Sequence, residues 1–173
     1  MKVLLSWIND YVDTSSIELK TLTKGLTDAG FEVEDVIDKA KGLEKVVVSK
    51  ITDIRPHPNA DKLVICSADY GFGKTEIVTH ATNMKTGDLV PLALVGAHLP
   101  NGAEIKSGNL RGVESNGMFC AGEELGIDNS IYPNAEVDGL LILESGLKLG
   151  TPIAEVLKLD EIVLDINVLP NRA

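Results

Sequence analysis

Hydrophobic positions change their period twice along the chain. Trp7, Ile8, Tyr11 and Val12 fall on one face of a short helix that Ser6 is placed to cap. Ser15 and Glu18 have capping-box spacing, and Leu19, Leu22 and Leu26 then recur at i, i+3 and i+7, predicting a second helix that Gly30 ends. In "FEVEDVID", 31–38, Phe31 and Val33 alternate with acids, the pattern of one strand.

After "KAKG", 39–42, helix signals become sparse and short β runs alternate with turn residues, as in a small barrel or sandwich. The runs are Val46 to Ile54, Leu63 to Ala68, Thr75 to Thr79, Leu89 to Val95, and a last one around Met118 to Cys120. Further on, Thr151 and Pro152 occupy the N-cap and N1 positions of a two-turn helix ending near Leu159. Ile162, Leu164, Ile166 and Val168 then alternate without a break, which predicts a strand. The two ends together predict one small, discontinuous α/β unit, residues 1–40 plus 151–173, with a β module, 41–150, inserted between them. The chain stops at "LPNRA" directly after a strand, with no polar tail, and so reads as a piece of something longer.

Composition adds limits. A chain of 173 residues that is 44% hydrophobic and 24% charged has enough apolar material for a core, which excludes disorder. A net charge of -10 excludes a protein whose whole surface attracts nucleic acid. Residues 41–126 nevertheless hold 9 of the 16 basic side chains against 10 acids, so the middle of the chain alone is near balance. Cys66 and Cys120 stand 54 positions apart with no CxxC, which predicts two buried, reduced thiols in a cytoplasmic protein. The opening apolar stretch is broken by Asn9 and Asp10, too soon for a signal peptide, and no run approaches the ~20 apolar residues of a membrane span.

Local chemical motifs are few. His57, His80 and His98 form no HxH, HExxH or Cys/His quartet, so no metal site is expected. "YGFGKT", 70–75, ends like a phosphate-binding loop, but Ala68 stands where its first glycine belongs and Asp69 follows; Gly71 and Gly73 instead predict a hairpin turn. No nucleophile elbow appears, and no catalytic residue is expected. In "IRPHPNADKLVICSADYG", 54–71, Pro56 and Pro58 stiffen a corner, Asn59 favours the turn, Asp61 can bond nearby amides, and Lys62 points outward as Leu63 enters the core. In "LRGVESNGMFCAGEELG", 110–126, Gly112 and Gly117 bracket Glu114, Ser115 and Asn116, offering amides, a hydroxyl and Arg111 at one edge of a small barrel. Taken alone, that segment is equally a structural loop.

These segments together carry a resemblance. "HPNADKL", "IVTHATN" followed by Gly87, "GAHLP", Ile105, and "LRGVESNGM" with "ELG" resemble the tRNA-binding domain, an OB-fold module found in stand-alone proteins and as an appendix of aminoacyl-tRNA synthetases. The flanks, "MKVLLSWINDYVD", "TDAGFEVE" and "LDINVLPNRA", resemble the N-terminus of the bacterial phenylalanine-tRNA synthetase (phenylalanine-tRNA ligase) β subunits, so that the resemblance covers essentially the whole chain. One departure is that Thr79, His80 and Ala81 stand where relatives usually have Cys-Gly-Ala. His80 then either faces solvent or contacts a base or phosphate.

The resemblance implies an α+β chain: a five-stranded OB-fold β-barrel, residues 41–150, inserted into the small discontinuous domain. It implies an accessory tRNA-binding and assembly region of a ligase that joins phenylalanine to its tRNA with ATP and Mg²⁺. Catalysis would belong to a partner α subunit in an α2β2 assembly, with no cofactor in this segment. A tRNA groove should gather Lys62 and Arg111, with Lys50, Arg55 and Lys106, beside Ser115 and Asn116. The alternative is a structural or protein-interaction OB module, which would scatter those charges and present an apolar patch.

Overall fold

The computed structural model describes residues 1–168, so the "LPNRA" ending lies outside the described residues. In chain order the elements are β1 (Lys2–Leu4), α1 (Leu5–Asn9), α2 (Leu19–Asp28), β2 (Phe31–Asp38), β3 (Val46–His57), β4 (Ala60–Asp69), β5 (Lys74–Thr79), β6 (Leu89–Ala93), β7 (Gly108–Leu110), β8 (Val113–Ser115), β9 (Met118–Phe119), α3 (Ile153–Val156) and β10 (Ile162–Val168). Among the described residues the chain is mostly β with three short helices, so that β structure outweighs helix in the expected α+β chain. Contacts separate two compact units among the described residues, 1–40 with 158–168, and Lys41–Leu157.

In the first unit β10 runs between β1 and β2 in an antiparallel sheet, with Leu164 opposite both Val3 and Val36. The alternating face of β10 buries Leu164 and Ile166, Val163 is buried on the opposite face, and α2 packs against β2. Gly30, at φ +93, takes the left-handed conformation that ends α2. Both predicted N-caps fail. Ser6 gives its N–H and hydroxyl to the Glu161 carboxylate, at 3.2 and 2.6 Å, so Leu4 takes the cap position of α1. Ser15 turns to Asp13, at 2.9 and 2.6 Å, and Glu18 is itself the N-cap of α2 with no side-chain bond. Strand β1 escaped the sequence because three residues running straight into a helix are too few to show a period.

The second unit carries a five-stranded antiparallel sheet in the order β5-β4-β3-β6-β9. Its residues explain it. Ile51, Cys66, Ala68, Ile77, Val90, Leu92 and Phe119 come from all five strands and form one buried cluster with Leu140. The β3–β4 turn is the pair Pro58–Asn59, since His57 faces Ala60. The Asp69–Lys74 connection is the expected hairpin, with Gly71 at φ +83.

The expected closed barrel is not formed as a continuous ladder: β5 and β9 remain sheet edges. They are joined instead through the segment between β8 and β9. The Asn116 N–H donates to the Glu76 carbonyl at 3.1 Å, the Thr75 hydroxyl donates to the Asn116 carbonyl at 3.1 Å, and the Ser115 hydroxyl accepts from the Val78 N–H at 3.1 Å. At this seam Gly117 has φ +135, and a Cβ there would stand 2.8 Å from the Ala93 carbonyl oxygen.

The expected boundary also moves. Residues 151–157 group with the second unit: the Val48 N–H bonds the Thr151 carbonyl at 2.9 Å, and Ile153, Ala154 and Leu157 are buried. Helix α3 is a single turn capped by Pro152, not the two turns expected from a Thr151 cap.

Candidate nucleic-acid interface

Two short hairpin tips meet at one edge of the second unit. One is the Pro58–Asn59 turn between β3 and β4. The other joins β7 to β8 through Arg111 and Gly112, with Leu110 opposite Val113. Both central residues have positive φ, +52 and +93, the backbone of a type I′ turn, whose right-handed twist suits a two-residue hairpin. The sequence did not announce this hairpin because that turn favours Asn-Gly or Gly-Gly, and a side chain at positive φ is strained.

Three side chains tie the tips together. His57, buried between them at 5% exposure, accepts the Asn59 N–H on Nδ1 at 3.0 Å, which leaves the ring proton on Nε2 to donate to the Leu110 carbonyl at 2.9 Å. Asn59 Nδ2 donates to the Arg111 carbonyl at 3.0 Å, and Arg111 Nη1 reaches the Asn59 carbonyl at 3.4 Å. Neither His57 nor Asn59 was singled out for this role from sequence. The Pro-His-Pro-Asn corner was the available sign.

The seven predicted contact residues separate into groups. Arg111 and Lys62 are exposed, and Lys62 lies three positions past Asn59 at the start of β4. The Lys62 ammonium has no ion-pair or hydrogen-bond partner among the described residues. Arg55 is exposed but held by Glu76 and, at 3.8 Å, by Asp53; the Glu76 hydrogen bond raises its already high pKa. Lys106 pairs with Glu104 at 2.9 Å and holds that carboxyl below its usual range. Ser115 is buried, and its hydroxyl is committed to Val78. The Asn116 side chain accepts the Ser107 hydroxyl. Lys50 is exposed and lines a separate cleft of about 420 Å³ with Asp88 and Leu149.

A larger cleft, of about 890 Å³, has opposite character. Val78, Met118, Phe119 and Leu140 line it, and Glu123, Glu124, Glu136 and Asp138 stand around them. His80, the residue that departs from the family pattern, is exposed on its wall. Four carboxyl groups and one histidine make this a poor place for phosphate.

Both cysteines are free and buried, and burial raises both thiol pKa values, Cys66 to about 11 and Cys120 beyond it. A thiol so placed is protonated at neutral pH and is not a nucleophile. Iodoacetamide at neutral pH is therefore expected to alkylate neither cysteine appreciably in the folded chain and both in urea. Rapid native labelling at Cys66 would contradict that burial. Among the described residues no group of three or more His, Cys, Asp or Glu side chains is arranged to hold a metal ion, and no helix is long and apolar enough to cross a membrane.

Comparison with known proteins adds the following. The family described as a putative tRNA binding domain matches residues 46–152. The phenylalanine–tRNA ligase beta subunit of Clostridium acetobutylicum is 49% identical over 99% of this chain and 21% of that protein. The corresponding subunit of Anaeromyxobacter dehalogenans is 46% identical over the same shares. The chain thus spans about a fifth of the length of the curated relatives it matches. Among solved structures, a MetRS-related protein from Pyrococcus horikoshii aligns at 18% identity over 61% of this chain and 85% of that one, with a TM-score of 0.43.

Proposed function

Since the chain belongs to the putative tRNA binding domain family through residues 46–152, we propose that it is the accessory tRNA-binding and assembly region of a cytoplasmic phenylalanine–tRNA ligase β subunit. In this reading the parent enzyme joins phenylalanine to its tRNA with ATP and Mg²⁺, a partner α subunit performs the catalysis in an α2β2 assembly, and this region holds RNA without catalytic residues. The five-stranded sheet is then an OB-type module, a partly open Greek-key barrel whose seam lies at Ser115–Gly117. Residues 41–157 form the tRNA-binding domain, inserted into the discontinuous unit made by residues 1–40 and 158–168.

The observation that carries the reading is an unanswered cation on each of the two hairpins that meet there, Arg111 at the β7–β8 tip and Lys62 on β4, three positions past Asn59. Both are exposed cations, neither is neutralised by a carboxylate, and one is fixed on a strained turn. Lys and Arg in such positions neutralise phosphates and release counterions, which makes binding fall as salt rises. Arg55 and Lys106 contribute less, because their charges are already answered by Glu76 and Glu104. Ser115 and Asn116 act by shaping the loop.

With unfractionated tRNA as probe, Lys62→Ala and Arg111→Ala are each expected to flatten the dependence of log affinity on log salt by about one unit. Arg55→Ala should change it far less. Equal slopes in all three variants would move the site elsewhere. A second reading, a protein-docking module, is favoured by the acidic cleft with its apolar lining. It gains ground if the chain binds no tRNA even at low salt.

A further inference from the structure

We infer that His57 is a positioning residue for Arg111: its ring, buried between the two hairpin tips, sets the place from which the guanidinium reaches RNA. The inference rests on the tRNA reading of this edge and adds a residue that touches no RNA itself.

The β7–β8 hairpin cannot hold its own position. Each strand has three residues, Gly108–Leu110 is exposed throughout, and an isolated two-stranded hairpin is marginal in water. Its turn adds strain, because Arg111 sits at φ +52 where glycine or asparagine is favoured. The hairpin is anchored at its base, where the Ser115 hydroxyl accepts the Val78 N–H at 3.1 Å. At the tip, the bonds between Asn59 and Arg111, at 3.0 and 3.4 Å, are exposed, so water competes for them. The bond from His57 Nε2 to the Leu110 carbonyl, at 2.9 Å, comes from a side chain that is 5% exposed. An exchange of that bond for water requires the tips to separate.

The same ring fixes the opposite tip. His57 Nδ1 accepts the Asn59 N–H, which closes the Pro58–Asn59 turn and aims the Asn59 amide at the Arg111 carbonyl. One imidazole therefore orients both halves of the contact, one nitrogen for each. Glutamine keeps an N–H that can reach toward Leu110, whereas asparagine keeps an acceptor near the Nδ1 position for the Asn59 N–H. The two functions can be separated by substitution.

The test is a double-mutant cycle on the full chain, with unfractionated tRNA and variants confirmed as folded by circular dichroism. His57→Ala should weaken binding several-fold and flatten the salt slope by about one unit, as Arg111→Ala does, and the double variant should be no weaker than Arg111→Ala alone. His57→Gln should recover most of the affinity. Amide exchange, which needs no RNA, should quicken at Leu110 to Val113 in His57→Ala while Cys66 and Val90 stay protected. Additive losses in the cycle, or unchanged exchange at the hairpin, would overturn the inference and leave the tRNA reading standing. If Arg111→Ala itself leaves the slope unchanged, the tRNA reading of this edge fails and the inference falls with it.

Discussion

Gly122→Ala is expected to destabilise the second unit by about 3 kcal/mol, the upper end of what overpacking a core costs. A Cβ at Gly122 would stand 2.1 Å from the Ala135 carbonyl oxygen, 2.7 Å from its carbon and 2.9 Å from its Cα. These are backbone atoms, so no rotamer change relieves the overlap. Nor can Gly122 easily retreat: its carbonyl accepts the N–H groups of Leu125 and Ile127 at 3.1 and 3.0 Å, and Ala135, Leu125 and Ile127 are all buried. Set against total stabilities of ~5–15 kcal/mol, the loss is large. The urea midpoint measures it. Gly25→Ala serves as the contrast, since it lies inside α2 with nothing within 4 Å of the added methyl, and alanine there should hold or slightly raise stability. Equal midpoints for Gly122→Ala and the parent chain would show that the two backbone segments are not packed as described.

What the sequence disclosed depended on whether residues speak locally. Strands β3, β4, β5 and β6 were legible because their apolar positions recur over five residues or more and converge on one core through Ile51, Cys66, Ile77 and Leu92. The β7–β8 hairpin was not, because three residues per strand are too few to show a period and Arg-Gly is not a usual type I′ pair. Ser6 and Ser15 had the spacing of caps, yet each turns its hydroxyl to donate to a carboxylate, Glu161 or Asp13, and neither helix has a side-chain cap bond. The candidate site divides in the same way. Lys62 and Arg111 could be proposed from their motif, but that Arg55 is answered by Glu76 depends on strand register, and that Ser115 turns inward depends on the seam. His57 was visible only as a histidine between prolines, since its two partners lie on different hairpins.

Residues 41–157 expressed alone are expected to melt in one sharp transition, whereas a fragment ending at 150 should be molten or aggregated. The seven residues between those ends complete the core of the second unit from one side. Thr151 takes the Val48 N–H at 2.9 Å, Pro152 bridges to Val47, and Ile153 and Leu157 are 0% and 4% exposed. Removing a buried Ile or Leu side chain costs ~2–5 kcal/mol, so two of them approach the whole stability of a domain this size. Deletion also uncovers the apolar surface behind them and leaves the Val48 N–H without its protein acceptor, which adds an aggregation hazard to the lost energy. The strands themselves would be intact in the shorter fragment, since every partner in β5-β4-β3-β6-β9 is retained. Far-UV circular dichroism should therefore change little while near-UV signal and cooperativity are lost, the signature of a sheet without fixed packing. If the shorter fragment instead unfolds as sharply and at the same temperature, α3 is an ornament on the five-stranded sheet and the boundary belongs at 150.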